Sequence, residues 1–162
     1  MYSFLCYGAS MSQTVAFFDM DHTLIWENSG LSSVKLARRH KLVSRGHLLK
    51  GAYKIILYRL TLLDIETWYE QNIARLAGVT PEDMQRFSDQ WYEELVRPTV
   101  YKQAADLVHD HQAQGHRVVI ISNAPEFFVA PVARALDVAD IISTRVEVRD
   151  GRLTGKLINP LC

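Results

Sequence analysis

The chain has 162 residues, of which 48% are hydrophobic and 22% are charged, and its formal net charge is zero. This composition is typical of one globular unit, and a zero net charge excludes a whole-protein electrostatic field for nucleic acid. Cys6 and Cys162 lie near opposite ends without a CxxC pair, so we predict neither a disulfide framework nor a zinc site. A reducing, cytoplasmic location is the matching expectation.

The first ten residues lack the basic start and the apolar run of a signal peptide. We expect residues 1–10 to form a disordered extension, and Met11 is a second candidate for the start of the chain. The apolar stretch at residues 48–63 is interrupted by Lys50, Lys54 and Arg59. A membrane span needs about 18 or more apolar residues with few charges, so none is predicted.

Residues 15–18 are apolar and run directly into Asp19 and Asp21, with Thr23 close behind. The apolar run predicts a strand buried on both faces, with Asp19 at its carboxyl end, where open α/β sheets bind ligands. Two carboxylates this close repel each other, which favours a bound cation or a shared proton, and Mg²⁺ suits such a position. The same residues also suit an ordinary strand and turn.

Residues 27–97 predict helices without a clear strand, and Thr80 followed by Pro81 marks one helix start. Charge in this segment is divided, with eight bases and no acid between Glu27 and Asp64, then eight acids and two bases up to Glu94. Three interpretations stay open. The halves neutralise each other, the bases attract an anionic substrate, or a basic helix lies on a membrane.

After residue 98 the pattern alternates between helix and strand. A helix is predicted to stop at Gly115, and residues 118–121 predict a second buried strand that ends on Ser122. Residues 122–125 are expected to turn into the next helix, in which Pro131 predicts a break or a new start. Residues 140–143 predict a third strand, and residues 146–155 predict a β-hairpin through Asp150 and Gly151.

Ser122 has two interpretations from its position between a strand and a helix. A hydroxyl and backbone N–H groups at such a turn can hold phosphate oxygens, and the same hydroxyl can simply cap the helix.

Together these stretches carry a family resemblance. The run Asp19-Met20-Asp21-His22-Thr23 matches the DxDxT signature of the haloacid dehalogenase-like phosphohydrolase superfamily, and Ser122 matches its second motif. The sequence of residues 98–157 is most similar to members of the branch that contains phosphoserine phosphatase. The resemblance implies an α/β fold with a Rossmann-like parallel sheet, helices on both faces and an inserted all-helical cap. It assigns residues 11–26 and 98–162 to the core and residues 27–97 to the cap.

The resemblance also implies a chemistry, namely Mg²⁺-dependent hydrolysis of a small phosphorylated metabolite such as phosphoserine. Asp19 is the expected nucleophile, which forms an aspartyl-phosphate, and Asp21 is the expected general acid and then base. Asp19 and Asp21 would hold Mg²⁺, the second through its backbone carbonyl. Thr23 would support the loop, while Ser122 and Asn123 would bind the phosphate.

One departure from the family limits this expectation. Family members continue with a phosphate-contacting lysine and an acidic metal-binding motif, and we find no counterpart before Cys162; Lys156 lies in the hairpin instead. We therefore expect a C-terminally truncated core with impaired activity, and self-association through an exposed sheet edge at residues 15–18. The alternatives are a non-catalytic remnant that binds a phosphorylated ligand or a partner, and a basic helical module for membranes or nucleic acid, although no nucleic-acid partner is expected.

Overall fold

A computed structural model describes residues 14–40 and 65–158, with only the backbone described for residues 65–68. The predicted extension at residues 1–10, the apolar helix at residues 48–63 and the five bases from Lys41 to Arg59 lie outside the described residues.

The described chain contains a parallel sheet and a separate hairpin. The sheet has the order β1-β2-β3, with β1 at Val15–Asp19, β2 at Arg117–Pro125 and β3 at Asp140–Thr144. The antiparallel hairpin consists of β4 (Val146–Arg149) and β5 (Arg152–Leu157). The predicted α/β class with a parallel sheet is confirmed.

Helices connect these strands. Between β1 and the sheet's central strand lie α1 (Ser29–Arg39), α2 (Ile65–Ile73), α3 (Pro81–Trp91) and α4 (Lys102–Ala113), while α5 (Glu126–Ala135) joins β2 to β3. Short 3₁₀ turns follow α2 at Ala74–Leu76 and precede α4 at Arg97–Thr99, and Tyr92–Val96 form a π-helical turn after α3. None of the helices in the described part of the chain is long and apolar enough to cross a membrane.

The hydrophobic core lies on one face of the sheet. Phe18 and Ile120 on that face are buried, and they cluster with Val108 of α4 and Val129 of α5. Among the described residues, the other face keeps four large apolar side chains exposed, namely Val15 at 39%, Phe17 at 60%, Ile121 at 37% and Ile142 at 43%, whereas Val119 on the same face is 5% exposed. The prediction that residues 15–18 are buried on both faces is therefore wrong for the described chain, because the core cluster covers one face.

The segment between β1 and α4 is anchored to the core by α3. Its predicted start is confirmed, since Thr80 accepts a hydrogen bond from the Asp83 backbone N–H at 3.1 Å and Pro81 is the first helical residue. Trp91, which is fully buried, packs edge-on against Phe128 of α5 with ring centroids 4.9 Å apart. The described helices of this segment are thus tied to the core.

The two oppositely charged halves of this segment make contact in the described residues. Arg39 of α1 lies 3.7 Å from Glu94, and both side chains are largely exposed. This ion pair agrees with mutual neutralisation at that position, although five of the eight bases lie outside the description.

Local predictions after residue 98 were mostly confirmed. α4 ends before Gly115, whose φ is +75°, and the hairpin turns at Asp150 and Gly151, both with positive φ as a type I′ turn requires. Two expectations were wrong. Residues 122–125 continue β2 instead of turning, and Pro131 lies within α5 without a break. Pro131 is buried with its neighbour Val132, so tertiary packing offsets the hydrogen bond that proline cannot make.

Candidate functional site

The two predicted motifs meet at one edge of the sheet. Asp19 is the last residue of β1 and pairs in register with Ile121 of β2, so Ser122 is one residue further along the neighbouring strand. Because β1 and β2 are parallel, their carboxyl ends lie at the same edge. The Asp19 side chain is exposed there, whereas Ser122 is only 5% exposed.

A tight turn follows β1 and brings Asp21 back beside Asp19. The carbonyl oxygen of Met20 accepts hydrogen bonds from the N–H groups of Thr23, Leu24 and Ile25 at 3.3, 3.0 and 3.1 Å. Met20, Leu24 and Ile25 are fully buried, which anchors the turn in the core. Between them, His22 adopts a left-handed backbone with φ of +61°. This geometry explains how a sequence with two nearby carboxylates presents both at one place.

Thr23 supports the first carboxylate. Its hydroxyl donates to Oδ2 of Asp19 at 3.3 Å, a long and weak hydrogen bond. The Thr23 side chain is thus directed at Asp19.

The two oxygens of the Asp21 carboxyl have different environments. Oδ2 accepts hydrogen bonds from the Ser29 backbone N–H at 3.1 Å and from the Ser29 hydroxyl at 2.8 Å. Oδ1 is buried and has no hydrogen-bond partner among the described residues. Burial raises the pKa of Asp21 above its ordinary value, the Ser29 hydrogen bonds oppose this, and the nearby Asp19 charge adds to it. The protonated form is thereby favoured relative to a free aspartic acid.

Ser29 is a site residue that the sequence reasoning missed. It follows Asn28, whose side chain caps α1 by accepting from the Leu31 N–H at 3.0 Å, so Ser29 is the first residue of that helix. The only signal in the sequence is that Asn28, Ser29 and Gly30 are all residues that favour turns. Nothing in that pattern indicated a partner eight residues earlier.

The carboxyl end of β2, which carries Ser122 and Asn123, contains a bulge. Ser122 pairs with Ser143 of β3, but the next pair is Pro125 with Thr144, so Asn123 and Ala124 have no counterpart on β3. The Ser122 Oγ accepts a hydrogen bond from the Ala124 N–H at 3.1 Å. β-Bulges commonly occur next to active sites, where they redirect side chains.

The carbonyl oxygen of Asn123 is contacted from two other elements. The Thr144 hydroxyl at the end of β3 and the Tyr69 hydroxyl of α2 both donate to it, each at 2.9 Å. Sequence reasoning missed both residues in this role, since they lie 21 and 54 positions from Asn123.

Two aspartates supply the oxygen atoms that could hold the expected Mg²⁺ ion at this edge of the sheet. Asp19 presents an exposed carboxylate, but the Asp21 carboxyl is bound to Ser29 through Oδ2 and buried at Oδ1. Asp21 would therefore contribute its backbone carbonyl, as the resemblance implies. No cluster of three or more His, Cys, Asp or Glu residues suited to a metal occurs within residues 14–40 and 65–158. Mg²⁺ is commonly held by one or two carboxylates plus substrate phosphate. The Asp19 carboxylate and the Asp21 backbone carbonyl therefore fit part of a Mg²⁺ site.

Lys156 lies away from these donors in sequence and in structural element. It is exposed on β5 and lines an open cleft with Glu70 and Ala74 of the α2 region.

Comparison with curated proteins gives several phosphatases as relatives. The chain is 31% identical over 152 residues to a probable phosphatase of Mycobacterium tuberculosis, covering 92% of this chain and 53% of that protein. It is 29% identical to a histidinol-phosphatase of Neisseria meningitidis, covering 90% and 67%. It is 26% identical to a phosphoserine phosphatase of Mycobacterium tuberculosis, covering 90% and 49%. The chain thus spans about half the length of its mycobacterial relatives.

Solved structures show the same fold. A protein of unknown function from Bordetella pertussis superimposes with a TM-score of 0.81 at 28% identity, covering 91% of this chain and 68% of that one. A phospho-aspartyl intermediate analogue of phosphoserine phosphatase superimposes with a TM-score of 0.58 at 17% identity, covering 90% and 62%. The family description that matches residues 16–162 is the haloacid dehalogenase-like hydrolase. The chain therefore belongs to the haloacid dehalogenase-like hydrolase family.

Proposed function

We propose that this chain carries the nucleophile half of a phosphatase that hydrolyses small phosphate monoesters. The observation that carries the proposal is that Asp19 ends β1 in register with Ile121, next to Ser122, while the tight turn keeps Asp21 close enough to Asp19 for their charges to interact. Relatives named as phosphatases support it. A cytoplasmic location accompanies the proposal.

The proposed reaction has two steps. A carboxylate oxygen of Asp19 attacks phosphorus, the ester P–O bond breaks, and Asp21 gives its proton to the leaving oxygen. Water then attacks the aspartyl-phosphate, Asp21 takes a proton from it, and inorganic phosphate leaves as Asp19 is regenerated. Ser122 and Asn123 bind phosphate oxygens, and Thr23 holds the Asp19 side chain. Mg²⁺ bound at Asp19 and the Asp21 carbonyl would neutralise charge on the transferring phosphoryl group.

For the substrate, we propose a small phosphorylated alcohol that also bears an amine, such as phosphoserine. Two relatives are named for phosphoserine and histidinol phosphate, which share this chemistry. Residues 27–97 are proposed to act as the cap over the phosphate. Tyr69 supports this because its hydroxyl, on α2, donates a hydrogen bond to the carbonyl oxygen of Asn123, the residue after Ser122.

We further propose that turnover by the 162-residue chain is weak. The described residues bring no third acid or histidine to a metal site at Asp19. The second candidate function, a non-catalytic binder of a phosphorylated ligand, is favoured by the same observation. It predicts phosphate binding without turnover.

An Asp19→Asn variant tests the nucleophile. Hydrolysis of phosphoserine and of p-nitrophenyl phosphate should be measured with Mg²⁺ and with a chelator. Removing a nucleophile costs on the order of 10³-fold or more, because an amide cannot attack phosphorus. Asp110→Asn, on the exposed side of α4, is the matched control and should leave turnover unchanged. Full activity in folded Asp19→Asn protein contradicts the assignment, and phosphate binding without turnover supports the second candidate.

Self-association through β1 is also proposed, with a second copy of the chain as the occupant. Among the described strands β1 pairs only with β2, so no described strand pairs with its other edge. Val15 and Phe17 next to that edge are exposed, and no charge or proline blunts the strand between residues 15 and 18.

A further inference from the structure

The bulge at Asn123 and Ala124 leaves backbone groups that the strand ladder does not pair in the regular way. Ser122 and Pro125 are the last two residues of β2 in register with β3, and the two residues between them project out of the ladder. Backbone polar groups that leave a ladder need other partners. Here side-chain hydroxyls from two separate elements supply donors to one of them.

The peptide between Asn123 and Ala124 is held at both of its polar atoms. Its oxygen accepts from Thr144 and Tyr69, and its N–H donates to the Ser122 Oγ. A peptide unit is planar, so fixing the direction of the carbonyl also fixes the direction of the N–H. The two hydroxyl donors therefore act on the Ser122 side chain through one rigid unit.

The hydrogen bond from Ala124 determines what the Ser122 hydroxyl can still do. A hydroxyl carries one donor and two acceptor lone pairs, and the Ala124 N–H occupies one lone pair. Within residues 14–40 and 65–158, the hydroxyl donates to no protein acceptor. The described residues therefore leave the donor capacity of this hydroxyl unused at the carboxyl end of β2.

We infer that Thr144 and Tyr69 are positioning residues that hold the Asn123–Ala124 peptide so that the Ser122 hydroxyl donates to a bound phosphate oxygen. The inference rests on the proposed function, which assigns Ser122 to phosphate. Neither residue touches the phosphate itself.

The two positioning residues differ in where they come from. Thr144 is fully buried at the end of β3, so its hydrogen bond belongs to the sheet. Tyr69 belongs to α2 in the proposed cap, and its bond to Asn123 is exposed. Tyr69 therefore links the position of the cap helix to the phosphate-binding hydroxyl.

Thr144→Val, Tyr69→Phe and the double variant test the inference in the full chain. The dissociation constant of inorganic phosphate should be measured by calorimetry in Mg²⁺ buffer, with KM and kcat for a phosphate ester and thermal melts alongside. A single hydrogen bond to a neutral group is worth a small net amount, so each single variant should weaken phosphate binding about two- to fivefold. Because both hydroxyls serve one carbonyl, the double variant should lose more than the product of the two single effects, which means more than about 25-fold if each single variant loses fivefold.

Matched variants separate positioning from general damage. Thr144→Ser keeps the hydroxyl and should restore phosphate binding and KM. Thr154→Val removes a hydroxyl that bonds Glu147 in the hairpin, and Tyr92→Phe removes a phenol after α3; both should bind phosphate as the wild type does. KM should rise in parallel with the phosphate dissociation constant, while kcat changes less.

The failures are distinguishable. A folded double variant with unchanged phosphate affinity overturns the inference while leaving the proposed function in place. If the double variant's loss of phosphate affinity only equals the product of the single losses, the claim that the two hydroxyls act through one carbonyl is wrong. If Thr154→Val loses as much phosphate affinity as Thr144→Val, the positioning role of Thr144 is wrong. A wild-type chain that neither binds phosphate nor hydrolyses esters overturns the proposed function, and the inference falls with it.

Discussion

Large apolar residues lie on both faces of the three-stranded sheet, but their surroundings differ. Phe17 is 60% exposed and its neighbour Phe18 is 8% exposed, while Ile121 is 37% exposed and Ile120 is fully buried. Helices α4 and α5 contribute to the core on the face of Phe18 and Ile120. An apolar strand sequence therefore shows that both faces can be buried, but the elements that pack against the sheet decide which face is.

The same difference shapes the candidate site. Asp19 shares register with Ile121 and Ile142, so it belongs to the uncovered face and its carboxylate is exposed. Ser122 follows Ile121 and its side chain is buried on the other side. The proposed nucleophile is accessible to substrate, whereas the proposed phosphate-binding hydroxyl is held in place by its surroundings.

The largest expected effect compares the two adjacent phenylalanines. Phe18→Ala should destabilise the chain by about 3–5 kcal/mol, because a buried aromatic ring leaves a cavity. Phe17→Ala should change the free energy of unfolding by less than about 1 kcal/mol if its face is uncovered in solution. Urea unfolding followed by circular dichroism measures both. Equal losses would show that another element covers Phe17.

The next prediction concerns self-association through the face of the sheet on which Phe17 is exposed. Phe17→Lys should weaken the association of two copies by about tenfold or more, since a lysine at a sheet edge opposes strand pairing. Sedimentation velocity over a range of protein concentrations measures this. Val148→Lys changes an exposed valine in the hairpin and is the control. A wild-type chain that is monomeric at all concentrations would contradict the proposed second copy.

A smaller change should still separate the faces at β2. Ile120→Val removes one buried methylene and should cost about 0.5–1.5 kcal/mol. Ile121→Val removes the same group from a partly exposed position and should fall within about 0.5 kcal/mol of wild type. Thermal melts on the two variants, prepared side by side, test the difference; identical values for both would remove the distinction between the faces at this strand.

The smallest effect concerns the ion pair on the uncovered face. Both Asp140 carboxylate oxygens accept hydrogen bonds from Arg117 at 2.7 Å, and these bonds lower the pKa of Asp140 below its ordinary value. A lowered pKa in the folded state means that the stabilisation is present above the unfolded pKa and is lost as pH falls through the folded one.

Asp140→Asn should therefore lower the melting temperature slightly near neutral pH and have no effect in strong acid. The pair is exposed, so the change should be small and should shrink further in high salt. Melting temperatures across a pH series, with Asp110→Asn as control, provide the measurement. A difference that grows toward acid would show that the sign is wrong.

Features that depend on neighbouring residues were predictable from the sequence. Three such features are the strand at residues 15–18, the start of helix α3 at Thr80 and Pro81, and the turn at Asp150 and Gly151. They were predictable because local hydrogen bonds and backbone preferences specify them. The two-aspartate motif could also be recognised, since Asp19, Asp21 and Thr23 lie within five consecutive residues.

Features that depend on distant partners could not be predicted from the sequence. Ser29 reaches Asp21 across eight positions, and Thr144 and Tyr69 reach Asn123 across 21 and 54. Pro131 stays within α5 because the helix is buried against the core, although proline alone predicts a break. Packing sets these distances and burials, and a linear pattern contains no information about which elements will meet.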